Sequence, residues 1–84
     1  MAYEIVMPAV ESGQETGTLI RWLKSDGDRV SKGEPLMEVE TDKAQVEIEA
    51  PQSGILSRIT ARPGDIVPVG QVIALLLSDE EDNP

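Results

Sequence analysis

Residues in the first half of this chain return in the second half at a fixed spacing of 37. Gly17, Leu19 and Arg21 return as Gly54, Leu56 and Arg58. Gly27-Asp28 returns as Gly64-Asp65, Val30 as Val67 and Gly33 as Gly70, while Leu36 returns as the like-sized Ile73. The shared pattern is G-x-L-x-R-x5-G-D-x-V-x2-G-x2-[L/I]. Upstream the spacing becomes 43, with Glu4-Ile5 matching Glu47-Ile48 and Pro8 matching Pro51. The six-residue difference falls within Glu11-Ser12-Gly13-Gln14-Glu15-Thr16, so the first half carries a longer surface loop. Two copies are too few for a solenoid, which needs several stacked units to bury a core. Two similar β units can instead close a pair of sheets around an approximate twofold axis.

The local pattern supports strands throughout. Tyr3 to Met7 is apolar-rich and ends at Pro8. Thr18 to Lys24 alternates around Leu19 and the bulky Trp22. Glu34 to Thr41, Ala44 to Ala50, Gly54 to Thr60 and Val72 to Leu77 complete the set. Asp26-Gly27 and Pro63-Gly64 are turn pairs, and Gly33 and Gly70 mark turns expected to need positive φ. No segment sustains a helical period. The acidic residues 78–84 read as the start of a linker that follows a domain spanning residues 1–77.

One segment breaks the symmetry of the two copies. From Met37 to Ile48, apolar and polar residues alternate up to Asp42-Lys43 and again beyond it. Pairing residues whose numbers sum to 85 sets Met37 against Ile48, Val39 against Val46 and Glu40 against Gln45. This is a β-hairpin with a two-residue loop. Met37, Val39, Val46, Ile48 and Ala50 then face the core, and Glu38, Glu40, Glu47 and Glu49 face solvent. Glu38 lies opposite Glu47, a mildly destabilising pair of like charges. Asp42-Lys43 has no Gly, so a type I turn suits it better than the primed turns that want positive φ. The position equivalent to Lys43 is Glu80, in the acidic tail, so the scaffold offers one lysine tip. Lys24 and Lys32, the other two lysines, read as ordinary surface charges.

Composition bounds what such a chain does. It has 84 residues, no Cys, no His, no Phe, one Trp and one Tyr. A chain of this length buries roughly 60% of its unfolded surface, so the core is thin and aliphatic, with no room for a large enclosed active site. The net charge of -9, from 16 acidic and 7 basic residues, repels nucleic acid and favours basic protein partners. There is no thiolate metal site and no disulfide framework. No apolar run reaches the roughly 20 residues of a membrane helix, and no signal peptide is visible. The cytosol is the default location, with the mitochondrial matrix the alternative if a transit peptide has been removed. The acidic hairpin face reads either as a solvated surface or as a recognition surface for a basic partner. Its four carboxylates do not converge as a metal site requires.

The segment Glu40-Thr41-Asp42-Lys43-Ala44 resembles the lipoylation motif of the 2-oxo acid dehydrogenase complexes. The wider framework is similar to theirs too: Met7-Pro8-Ala9, Gly17-Thr18-Leu19-Ile20-Arg21-Trp22-Leu23, Gly27-Asp28-Arg29-Val30-Ser31-Lys32-Gly33, Ala50-Pro51, Gly54 and Pro68-Val69-Gly70. The resemblance covers residues 3 to 77 and is to the lipoyl domains of dihydrolipoamide acyltransferases. It implies an all-β flattened barrel of two four-stranded antiparallel sheets, with Lys43 joined by an amide to lipoic acid. It implies a carrier with no catalytic residue of its own. In the complexes it resembles, a decarboxylase component with thiamine diphosphate reductively acylates the dithiolane. An acyltransferase core passes the acyl group to coenzyme A, and dihydrolipoamide dehydrogenase reoxidises the arm. A lipoate ligase or an octanoyl or lipoyl transferase would attach the cofactor. By position, Asp42 would shape the turn and help partners identify it, and Ala44 would leave the arm unobstructed. The loop residues Glu11, Ser12, Gln14 and Glu15, together with Glu40, would serve recognition by the decarboxylase. The resemblance implies pyruvate as the family default for Asp-Lys-Ala, with branched-chain and acetoin complexes as the alternatives.

Other readings of the barrel fit less well. Biotin carriers resemble Ala-Met-Lys-Met at the modified lysine, where this chain has Asp42 and Ala44. The glycine-cleavage H protein is longer, with flanking helices. An unmodified adaptor would have no reason to keep the complete tip. A stand-alone enzyme lacks any His or Cys, and the serines have no base to activate them.

Overall fold

The computed structural model describes residues 2–78, so the acidic residues 79–84, Glu80 among them, lie outside the described residues. Eight strands form: β1 (Ala2–Val6), β2 (Thr16–Trp22), β3 (Arg29–Val30), β4 (Pro35–Glu40), β5 (Gln45–Glu49), β6 (Gly54–Ser57), β7 (Ile66–Pro68) and β8 (Val72–Leu77). They make two four-stranded antiparallel sheets, ordered β1-β8-β6-β3 and β5-β4-β2-β7. The all-β expectation and the sheet count both hold. The two shortest strands, β3 and β7, carry too few residues to show a period of two. The segment from Gly54 stops pairing at Ser57, because Arg58 adopts φ 53, a left-handed conformation that ends an extended strand.

The repeat maps one sheet onto the other. Moving β1, β8, β6 and β3 to their repeat equivalents gives β5, β4, β2 and β7, the order of the second sheet. Each sheet therefore contains two strands from each half. The hydrogen bonds repeat as well. The Gly27 N–H donates to the Leu56 carbonyl (2.6 Å) and the Leu56 N–H to the Asp28 carbonyl (2.8 Å). Thirty-seven residues on, the Gly64 N–H donates to Leu19 (2.7 Å) and the Leu19 N–H to Asp65 (2.9 Å). Each Gly-Asp turn thus docks on a strand of the opposite half. Its Asp carboxylate accepts the N–H three residues earlier, Ser25 at 2.8 Å and Arg62 at 2.9 Å. Gly27 and Gly64 take φ 94 and 92, which a side chain would oppose. Gly33 and Gly70 also have the expected positive φ.

The core lies between the sheets and is paired by the same symmetry. Leu19 and Leu56, Val30 and Val67, Leu36 and Ile73, and Val39 and Leu76 are all buried. Every buried side chain of this core is apolar, so burial loses no polar solvation. Trp22 packs against it at half burial and donates its indole N–H to the Ala61 carbonyl (2.9 Å). Gly17 lies where a Cβ would meet the Met7 sulfur at 2.7 Å and the Val39 side chain at 3.3 Å. Its hydrogen is what lets β2 approach the core this closely.

The connections set the direction of the molecule. β5 leaves the hairpin tip at Gln45 and leads through Ala50 to Gln52 and Ser53. These two residues share a shallow depression with Ala2, Tyr3, Leu76 and Ser78. The hairpin tip and the ends of the described chain are therefore at opposite ends of the barrel.

Candidate functional site

The hairpin forms in the expected register: Met37 pairs with Ile48, Glu38 with Glu47, Val39 with Val46 and Glu40 with Gln45. Met37, Val39 and Ala50 are fully buried and Val46 and Ile48 half-buried, while Glu40, Glu47 and Glu49 are exposed. The like-charge pair of Glu38 and Glu47 is relieved from the other side. Arg21, directly opposite Glu38 on β2, donates from Nε to its carboxylate at 2.6 Å.

At the tip, Thr41 supplies the hydrogen bonds. Its N–H donates to the Ala44 carbonyl (2.8 Å), and its hydroxyl donates to the same oxygen (3.2 Å). Its Oγ1 also accepts long bonds from the Lys43 N–H (3.4 Å) and the Ala44 N–H (3.3 Å). Asp42 and Lys43 both keep negative φ, since Arg58 is the one non-glycine residue with positive φ among those described. The turn avoids the primed geometry, as a Gly-free loop requires. The side-chain hydrogen bonds within the turn come from Thr41. The Asp42 carboxylate makes no hydrogen bond or ion pair among the described residues.

Lys43 and Ala44 are exposed. Among the described residues, no hydrogen bond or ion pair engages the Lys43 ammonium. Lys24, by contrast, pairs with Glu34 at 3.4 Å; the Lys32 ammonium, in the Ser31–Glu34 turn, is likewise unengaged among the described residues, so what sets Lys43 apart from Lys32 is its place at a hairpin tip. Lys43 thus combines a rigid two-stranded post, no internal partner and small neighbours. Such an amine is open to acylation by an enzyme that must reach around it.

The longer loop of the first half folds beside this tip. Gln14 organises it: Oε1 accepts from the N–H groups of Val10 (2.8 Å) and Glu11 (3.3 Å), and Nε2 donates to the carbonyls of Pro8 (3.4 Å) and Thr16 (3.1 Å). Both ends of the amide are thereby committed to the loop backbone. Between loop and tip runs an open groove of about 510 Å³, bordered by Glu11, Gln14, Glu15, Glu40, Asp42 and Ile66. Of the expected recognition residues, the fold gathers Glu11, Gln14, Glu15, Glu40 and Asp42 around one groove. Ser12 and Ala44 lie outside its lining. Thr41 and Ile66 escaped sequence reasoning: Thr41 was visible as a turn-compatible hydroxyl residue, but nothing local marked Ile66. Among the described residues, no group of three or more His, Cys, Asp or Glu could hold a metal ion. Among the described residues, no helix is long and apolar enough to cross a membrane.

Comparison with known proteins places these features in a family. Residues 3–76 match the family model described as "Biotin-requiring enzyme", which covers biotin and lipoyl attachment domains. The chain is 48% identical over 80 residues to the mitochondrial dihydrolipoyllysine-residue acetyltransferase component 3 of the pyruvate dehydrogenase complex of Arabidopsis thaliana, covering 94% of this chain and 15% of that protein. It is 43% identical over 84 residues to the corresponding acetyltransferase component of Corynebacterium glutamicum, covering all of this chain and 12% of that protein. It is 45% identical over 82 residues to the pyruvate dehydrogenase E1 component subunit beta of Rhizobium meliloti, covering 96% of this chain and 18% of that one. The chain therefore spans under a fifth of the length of these three curated relatives. Among solved structures, the lipoyl domain of the Azotobacter vinelandii 2-oxoglutarate dehydrogenase complex superposes with a TM-score of 0.71 at 29% identity, covering 88% of this chain and 96% of that one. Kluyveromyces lactis urea carboxylase shares the fold, with a TM-score of 0.75 at 23% identity over 92% of this chain and 6% of its own. The chain belongs to the biotin/lipoyl attachment family, and within it this is a domain of the lipoyl type.

Proposed function

We propose that this domain is a covalent carrier in which Lys43 bears lipoate, and that it serves a pyruvate dehydrogenase complex. The observation that carries the reading is the unengaged ammonium of Lys43 at the tip of a rigid hairpin, flanked by Asp42 and Ala44. The residues present fit the group: the amine is exposed, its neighbours are short or solvated, and the post beneath it is fixed by the core. Once bound, lipoate supplies a dithiolane that accepts an acyl group with two electrons and later yields the acyl group to coenzyme A. The chain's own residues perform none of that chemistry. Thr41 holds the turn, Met37 and Val39 anchor the post, and the barrel keeps Lys43 at the end remote from the described chain ends. Tethering raises the local concentration of the carried group at each partner, while the cofactor holds the reactivity and the protein supplies position.

The partners of this reading are a lipoate ligase or an octanoyl or lipoyl transferase, then a decarboxylase with thiamine diphosphate, an acyltransferase core and dihydrolipoamide dehydrogenase. Glu11, Glu15, Glu40 and Asp42 meet the decarboxylase, and Gln14 holds their loop in place. The parent polypeptide is an acyltransferase subunit of such a complex. Its compartment is the cytoplasm in a bacterium and the matrix in a mitochondrion.

The test is intact mass after expression with lipoate. An increment matching lipoyl attachment is expected for the wild type and none for Lys43→Arg. An increment that survives Lys43→Arg overturns the site, and one matching biotin overturns the cofactor.

A further inference from the structure

Three departures from the internal symmetry of this barrel converge at one place. The first is the six-residue excess of the 11–16 loop over its equivalent between Pro51 and Gly54. The second is the Thr41–Ala44 tip, whose equivalent falls where the described chain ends. The third is Ile66, which borders the groove between them and is 71% exposed, whereas no other exposed large hydrophobic side chain among the described residues exceeds 45%. The fold does not impose that exposure. The equivalent of Ile66 is Arg29, also exposed, and the neighbouring pair Val30 and Val67 is buried in both halves. The position points outward in both copies, and only the copy beside Lys43 carries an apolar side chain there.

The charged residues of the groove are all acidic, Glu11 and Glu15 on one wall and Glu40 and Asp42 on the other, set among uncharged Gly, Thr and Gln residues. We propose that Ile66 is the apolar anchor of the decarboxylase contact already assigned to this surface: the partner inserts an apolar side chain against it while flanking basic side chains meet the acidic residues of the groove. The proposal rests on the carrier reading and adds to it the apolar anchor and the chemistry of the partner surface. Charge complementarity selects a basic surface and speeds its approach. An apolar contact at the centre, ringed by polar groups, is where interface energy concentrates. The anchor also fixes the docking register, so that the tip beside the groove meets the partner's active-site entrance.

The experiment uses the lipoylated chain, its modification confirmed by mass, as substrate for the cognate pyruvate decarboxylase component with thiamine diphosphate. Ile66→Arg installs the side chain that the equivalent position already tolerates, and Ile66→Ala removes the anchor without adding charge. For Ile66→Arg the expected result is a KM raised about tenfold or more, the range of an interface anchor. A smaller rise is expected for Ile66→Ala, with kcat, lipoylation and the unfolding midpoint unchanged. The Ile66→Ala effect persists at high salt, because it is not electrostatic. If the wild type is acylated and both variants match its KM, the docking assignment falls while the carrier reading stands. If the wild type is not acylated, both fall. If the methyl signals of Ile66 shift on lipoylation alone, with no partner present, the carried arm occupies the groove and the proposal is overturned.

Discussion

At the residue scale, the tip depends on a side chain other than the one it presents. Lys43 needs only to be exposed and unengaged. Thr41 must close a turn that lacks glycine, and its hydroxyl is well placed to do so because it reaches the Ala44 carbonyl and two backbone N–H groups at once. Thr41→Val keeps the shape and removes those bonds. The expected loss is about 0.5–1.5 kcal/mol, the net worth of a partly exposed hydrogen-bond set, read as a lower urea midpoint at unchanged slope. Thr41→Ser should retain most of the wild-type stability. If valine is as stable as threonine, the hydroxyl does not hold the turn. Lys43 and Asp42 were legible as a motif. The division of labour between Thr41 and Asp42 was not, because both residues suit turns and only the backbone path decides which hydroxyl or carboxylate reaches an N–H.

At the element scale, the Ser31–Glu34 turn that leads into β4 contains an acid-sensitive bond. The Glu34 carboxylate accepts the Ser31 N–H, and the Glu34 N–H returns to the Ser31 carbonyl (3.0 Å). Chiefly that backbone hydrogen bond, then the nearby Lys24 charge, holds the Glu34 carboxyl below its ordinary value, against an opposing desolvation. A depressed folded-state pKa means the stabilisation is fully present above the unfolded value and is lost as pH falls through the folded one. Glu34→Gln should therefore lower the urea midpoint at neutral pH, with the difference from wild type closing as pH falls below the ordinary carboxylate range. A pH-independent difference would show that the carboxylate charge is irrelevant to the turn. The repeat accounts for why this turn's carboxylate bond has no counterpart at the equivalent position of the second half. The equivalent of Ser31 is Pro68, which has no N–H to donate, and the equivalent of Glu34 is Gln71, whose N–H still returns to the Pro68 carbonyl (3.1 Å). The hairpin and its register were readable, because alternation with a buried face permits one pairing. β3 and β7 were not, because two or three residues fix no period.

At the scale of the whole molecule, the two halves do not pack as two separate units. Each sheet draws two strands from each half, and each Gly-Asp turn hydrogen-bonds to the opposite half. Neither residues 1–42 nor residues 43–84 should fold alone. Circular dichroism and amide dispersion of each half-chain should be those of an unfolded peptide, and a cooperative thermal transition in either would refute the interdigitated architecture as the source of stability. The amino-acid sequence by itself determined that there are two copies of one β unit, that one hairpin tip presents a lysine, and that its flanking residues resemble those of a lipoyl attachment site. Repetition, alternation and local motifs are short-range properties, and they survive in a linear reading. Only the tertiary structure decided that the halves exchange strands, that the 11–16 loop faces the tip across a groove, and that an outward Ile66 completes it. Those facts concern residues far apart in the chain: Asp42 and Ile66 are 24 positions apart, Glu11 and Ile66 55, and the paired Ala2 and Leu77 75. They are brought together by burial of the shared core, which acts through space and leaves no local mark in the sequence.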